Sequence, residues 1–283
     1  MEILFIYLYL PLQRGLTLFK NMKSKRFFLP VVFLSAVFSF TVQAQDDASP
    51  LIQLNLEDVP SFEAGEKEVK DAIPNDGELS GFLNIRQGEG TLEIVESDFN
   101  GKKALKFSPT AEKRSSGAHL PCVFFPEMPA EFPGGCTFQA WVKPDSRWMG
   151  SRGELLSARR SDQGPGMALA YRPSNGGLEI ISGAGSGQGA WGVFTGTNNY
   201  IPADEWSHVA AVYDAEIQQF RLYINGEFIA ESEVGLKLTP MNPMFTIGAY
   251  NHGYAYAFGG EMLDIAVYDY PRTEEQIRAD AKK

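Results

Sequence analysis

The segment Tyr250-Asn-His-Gly-Tyr-Ala-Tyr256 gathers three tyrosines, a histidine and an amide within one short stretch. Flat phenol rings stack against the apolar face of a pyranose, and neighbouring polar groups meet its hydroxyls. Tyr250, His252, Tyr254 and Tyr256 are therefore candidate ligand contacts. Trp148, Arg152, Trp191 and Tyr200 extend the same chemistry, because each lies in or beside another turn-rich stretch. The alternative for each ring taken singly is structural, covering the end of a packed β core.

Hydrolytic chemistry on a sugar needs two carboxylates roughly 5 to 10 Å apart. The nearest pair on one strand is Glu261 and Asp264. Their odd offset sends the two side chains to opposite faces of a regular strand, so they cannot act together. No Glu-x-Asp-x-x-Glu run is present, nor a Gln-x-His strand with partner Arg and Tyr motifs for polysaccharide elimination. Of the three histidines, His208 reads as a packed core residue and His119 as a strand residue near Cys122. His252 stands in the aromatic segment with no serine or cysteine nucleophile in a recognisable motif around it.

The elements that must position these residues are short apolar runs, rich in β-branched and aromatic residues and separated by Gly, Pro, Asn and Asp, from Leu51 to Tyr268. That is an all-β pattern. Gln219-Phe-Arg-Leu-Tyr-Ile224, Asn225-Gly226 and Glu227-Phe-Ile-Ala230 form a hairpin, since Asn-Gly accepts the left-handed backbone of a two-residue turn. The turn sets Tyr223 opposite Phe228 and Leu222 opposite Ile229, with Phe220, Leu222 and Ile224 facing the core. Phe138 to Lys143 and Trp206 to Asp214 are apolar on both faces and belong mid-sheet. Glycine-dense stretches, Ser182 to Gly189 and Gly192 to Asn199, read as long end loops, and Glu63 to Gly77 as a surface loop. Thr273 and Gln276 form the capping box of one short C-terminal helix.

Four motifs occur in an order that resembles the laminin G-like jelly roll of the concanavalin A-like family. They are Thr137-Phe-Gln-Ala-Trp-Val-Lys-Pro144, Trp206-Ser-His-Val-Ala-Ala-Val-Tyr-Asp214, Leu222-Tyr-Ile-Asn-Gly226 and Phe258-Gly-Gly-Glu-Met-Leu-Asp-Ile-Ala-Val-Tyr268. The resemblance implies a two-sheet antiparallel jelly-roll sandwich closed by the helix. It also implies a lectin-like, non-catalytic carbohydrate-binding module whose partner is a polysaccharide or glycoprotein glycan. The alternatives are a cell-surface adhesion domain or a divergent glycan hydrolase or lyase.

Many relatives of this kind hold a structural calcium ion, which takes six to eight oxygen ligands. The matching positions here are Glu57 or Asp58, Asp71, Asn75 and Asp264, brought together if the first and last strands are neighbours. For this, Asp264 is expected on the strand face opposite Leu263, Ile265 and Val267.

At the N-terminus, the basic run Met22-Lys-Ser-Lys-Arg26, the apolar stretch Phe27 to Phe40 and the small-residue site Val42-Gln-Ala44 follow one another as in a signal peptide. Residues 1–44 are read as that signal region, with Met22 as the favoured start. Residues 45–283 are read as a single jelly-roll domain, secreted, periplasmic or at the cell surface, without stable membrane insertion. Cleavage would remove five basic residues and one acidic one, taking the formal net charge from −10 to −14. Such a charge repels nucleic acid and anionic lipid and favours cations or neutral ligands. In an exported chain Cys122 and Cys136 can pair as a disulfide; the other reading is two reduced cysteines buried as small hydrophobes.

Overall fold

The computed structural model describes residues 48–59, 67–159, 165–182, 200–233, 238 and 241–282, and the backbone of 191–194. All of these fall within one compact unit, Asp47–Lys283. The signal region and most of the two glycine-dense loops lie outside the described residues.

In chain order the strands are β1 Ile52–Gln53, β2 Glu68–Pro74, β3 Phe82–Arg86, β4 Gly90–Glu96, β5 Lys103–Pro109, β6 Cys122–Phe125, β7 Gly135–Pro144 and β8 Gly153–Ser157. They continue as β9 Met167–Arg172, β10 Gly177–Ser182, β11 Trp191–Phe194, β12 Ser207–Asp214, β13 Gln219–Ile224, β14 Glu227–Glu233, β15 Phe245–Ile247 and β16 Gly260–Tyr268, followed by the helix α1, Glu274–Asp280. Two antiparallel sheets result. The first runs β14-β13-β12-β7-β16-β5-β4, with β1 added against β16; the second runs β11-β10-β9-β8-β15-β6-β3-β2. Consecutive strands that sit in different sheets give the crossing connections of a jelly-roll sandwich.

The core lies between the sheets. Alternate residues point into it, as a period of two requires: Phe138, Ala140 and Val142 from β7, Phe220 and Leu222 from β13, Val123 and Phe125 from β6. Phe138 and Phe245 meet edge-on across the two sheets with centroids 5.4 Å apart. Each such buried side chain contributes on the order of 1.5–3 kcal/mol through removal from water.

Several expectations hold in detail. β7 and β12 are central neighbours, β1 pairs with β16, and Thr273 and Gln276 form the capping box. Asn225 and Gly226 both adopt left-handed backbone, and Tyr223 stands opposite Phe228. Leu222, however, pairs with Ala230 rather than Ile229, because a bulge between Leu222 and Tyr223 shifts the register. The stretch expected as a loop over 63–77 instead carries β2, where it is described. Val69 and Ile73 pair with Ile85 and Leu83 of β3, and pairing at the sheet's edge overrides the polar composition. His119 lies outside the strands, in the connection before β6.

The cysteines are corrected too. Both are free and buried. Cys136 points into the core from β7 of the first sheet, whereas Cys122 is on β6 of the second sheet, with its sulfur 3.3 Å from where a Cβ on Gly253 would lie, over the opposite face. Packed sheets are about 10 Å apart, and a disulfide needs Cα atoms within about 7 Å. Burial pushes the Cys122 thiol up to about 12 and raises that of Cys136 as well.

Candidate functional site

The aromatic segment forms a tight loop over the outer face of the second sheet. Asn251, His252 and Gly253 adopt consecutive left-handed conformations, and Tyr256 a further one. Left-handed backbone at non-glycine residues costs roughly 1–2 kcal/mol each, so it persists only where surroundings enforce it. Here they do. Tyr250 N donates to Ala255 O at 2.8 Å and Tyr254 N to Tyr250 O at 2.9 Å, closing the loop on itself. Leu120 N donates to Gly253 O, Tyr256 N to Glu112 O and His252 N to Thr246 Oγ1, tying it to three other segments. A Cβ at Gly253 would stand 2.6 Å from Leu120 O, so only glycine fits.

This backbone displays its tyrosines at different depths. Tyr250 is buried, Tyr256 half-buried and Tyr254 exposed, at 49% of its full area. The Arg114 guanidinium lies 5.0 Å from the Tyr254 centroid. Arg152 lies 4.0 Å from that of Tyr256, and Arg159 4.7 Å from that of Tyr250. Each stacked cation is worth about 0.5–2 kcal/mol according to how far it is desolvated.

Beneath the rings runs a buried charge network that sequence reasoning missed. Glu154 on β8 is fully buried and pairs with Arg159, itself 1% exposed. Glu179 on β10 is held by Arg172 through two hydrogen bonds, at 3.0 and 2.9 Å. Both carboxylates register with Ala170 of the intervening β9, so they share a face about two strand spacings, roughly 9–10 Å, apart. Arg152 reaches between them, 4.0 Å from Glu154 and 3.7 Å from Glu179. The carboxylates thus fix the guanidinium groups on which Tyr250 and Tyr256 rest. The available signal was Glu179 inside the otherwise apolar run Gly-Leu-Glu-Ile-Ile, together with the alternation Arg152-x-Glu154.

His252 packs instead against Arg86 and Phe124. Arg86 Nη1 approaches its Nδ1 at 3.0 Å. Because a guanidinium only donates, Nδ1 is the acceptor and the ring carries its proton on Nε2. Burial, reinforced by the Arg86 charge, pushes the His252 pKa down to about 4. His119 is shifted down in the same way, by burial first and then by Arg86 and Arg114.

Of the other expected contacts, Trp148 joins the rim by donating Nε1–H to Ala257 O at 3.1 Å. Tyr200 is exposed and packs beside Gly176 on the β9–β10 turn. The side chain of Trp191 lies outside the described residues.

Of the expected calcium ligands, Glu57 and Asp264 line one groove together with Asp76. Asn75 uses its amide on the backbone, with Nδ2 donating to Leu51 O and Leu79 O and Oδ1 accepting from Gln53 N. Asp264 pairs with the Lys102 ammonium at 2.5 Å. Glu57 accepts from Lys103 N, and the Asp71 amide is tied to Asn84. Among the described residues no group of three or more His, Cys, Asp or Glu side chains could hold a metal ion.

Asp264 stands opposite Ile265 and Val267 as expected, but not opposite Leu263. It adopts left-handed backbone at a register shift between Leu263 and Ala266. Leu263 turns outward onto Trp141 while Met262, Ile265 and Val267 stay in the core. Glu261 and Asp264 therefore both lie on the outer side of the first sheet, contrary to simple alternation, in separate hollows lined by Lys143 and by Lys102 respectively.

Residues 123–278, more than half of the chain, match the Laminin_G_3 family, described as the concanavalin A-like lectin/glucanases superfamily. The chain belongs to that superfamily. No curated protein matches it. Among solved structures this superfamily member is similar to the binding domain of botulinum neurotoxin serotype D, with TM-score 0.56 and 11% identity over 83% of this chain and 51% of that one. It is similar to the serotype G binding domain with TM-score 0.54 and 8% identity, over 82% and 50%. The chain thus spans about half the length of these toxin domains, and the likeness is one of fold. The CBM40 of Ruminococcus gnavus IT-sialidase, bound to α2,3 sialyllactose, aligns with TM-score 0.44 and 20% identity over 52% of this chain and 83% of its own. Among the described residues no helix is long and apolar enough to cross a membrane.

Proposed function

We propose that this chain is an exported, non-catalytic, lectin-like domain that binds a polysaccharide or glycoprotein glycan at the rim built by Tyr250–Tyr256. The observation that carries this reading is the pinned loop. Its left-handed residues and cross-segment hydrogen bonds spend backbone strain to hold Tyr254 in solvent and Tyr256 at half depth. A core-capping ring needs no such device.

Preorganised rings lose little freedom on binding, which favours weak, stacking-based recognition. Beside them Arg114, Glu112 and the Ser151 hydroxyl, hydrogen-bonded to Glu112, offer donors and acceptors for sugar hydroxyls. Membership of a lectin and glucanase superfamily supports the ligand class. Glu154 and Glu179 are engaged as anchors for arginines, so the rim is a surface for contact and not for bond cleavage.

A glycan array with the secreted chain tests this. Retention of a restricted set of glycans is expected, with no reducing ends or unsaturated products released on incubation. Silence across the array, or product release, would contradict it.

A further inference from the structure

We propose that a second ligand pocket, for one neutral pyranose ring at the end of a glycan chain, lies on the outer face of the first sheet. A cavity of about 180 Å³ opens there between α1 and the Trp141 cluster. It continues over Gln53, Lys102 and Asp264 into a groove of about 310 Å³ lined by Asn55, Glu57 and Asp76. A smaller hollow joined to a larger groove suits a single terminal ring with the rest of its chain.

The floor supplies a specific polar demand. Gln139, only 4% exposed, donates its Nε2–H to Asp280 Oδ2 at 2.8 Å. A carboxylate only accepts, so the amide orientation is fixed and Oε1 faces the other way. That Oε1 is buried and has no hydrogen-bond partner, and a donor reaching it from the cavity would satisfy it. A sugar hydroxyl is such a donor.

The walls supply the rest. Trp141 and Tyr268 present mostly buried rings, and Ala266 between them leaves the space open. At the mouth the Lys102–Asp264 pair offers both a donor and an acceptor. Asp264, Asp280, Glu57 and Asp76 outnumber Lys102 and Lys103 along the cavity and groove, which disfavours uronates and sulfated sugars. Asp264, at its left-handed bulge, sets its carboxylate on this face.

Pocket and rim fail separately, because each has its own reporter. The Trp141 indole N–H resonance of the full chain, assigned with Trp141→Phe, is followed as methyl glycosides of glucose, mannose, galactose and N-acetylglucosamine are added into the millimolar range. At least one should shift it saturably, while sodium glucuronate should not. Ala266→Leu, which fills the space, and Lys102→Met, which alters only the half-exposed mouth, should each weaken the response fivefold or more. Tyr254→Ala with Tyr256→Ala should leave it unchanged. A Trp141 resonance unmoved by all four glycosides, a response only to glucuronate, or equal responses in the wild type and Lys102→Met would overturn the proposal, even if Ala266→Leu failed to fold.

Discussion

The outer faces of the two sheets differ in what they bury. On the first sheet Ala210, Val212 and Tyr223 lie under Ile277 of the helix, and Trp141 and Leu263 pack with Phe99 and Trp206. On the second, Glu154, Arg159 and Glu179 lie beneath tyrosines. Apart from the buried Arg272–Asp280 pair, the first face is closed by apolar contact, and the second by charges that must remain paired. The comparison teaches that the aromatic rim is not lid material laid over a greasy surface. It is held by guanidinium groups whose own positions are set by buried carboxylates.

The largest expected effect breaks that arrangement. Glu154→Gln leaves Arg159 buried without its ionic partner and should destabilise the fold by about 3–5 kcal/mol in guanidinium unfolding. Lys102→Met removes a half-exposed pair on the first face and should cost under about 1 kcal/mol. Similar values for both would erase the distinction.

The next effect is a pH dependence confined to the second face. The folded His252 pKa, near 4, lies below the ordinary histidine value of 6.5, and His119 shifts in the same direction. The unfolded chain therefore binds more protons in this window. Stability is full above about pH 6.5 and falls as pH drops toward 4. His252→Gln should flatten that decline, and unchanged steepness would show that His252 is not its source.

The smallest effects concern cross-links and metal. With Cys122 and Cys136 free on opposite sides of the second sheet, a thiol reductant should leave Tm unchanged. With Asn75 and Asp264 committed elsewhere, excess EDTA should do the same. A lower Tm in either case would show a bridge or ion that these side-chain positions do not accommodate.

Much of the frame was legible because it rests on local rules. Asn225-Gly226 names its turn, Thr273 and Gln276 name their cap, and the doubly apolar strands name the centre of a sheet. What escaped depends on distant partners. Alternation misplaces Leu263 and Glu261 because one left-handed residue, Asp264, resets the parity of β16. The short spacing of Cys122 and Cys136 hides a crossing from one sheet to the other. The rim tyrosines were visible as types, but the Glu154 and Glu179 that support them become neighbours only through the β8-β9-β10 register.

The central claim is that the pinned tyrosines bind glycan, and it meets its most direct test in one titration. The strongest array ligand is titrated calorimetrically into the wild type and into the Tyr254→Ala, Tyr256→Ala double variant. Loss of two stacking contacts of about 0.5–1.5 kcal/mol each should raise Kd by about fivefold or more with the fold intact. Equal Kd values in two folded proteins would contradict the account.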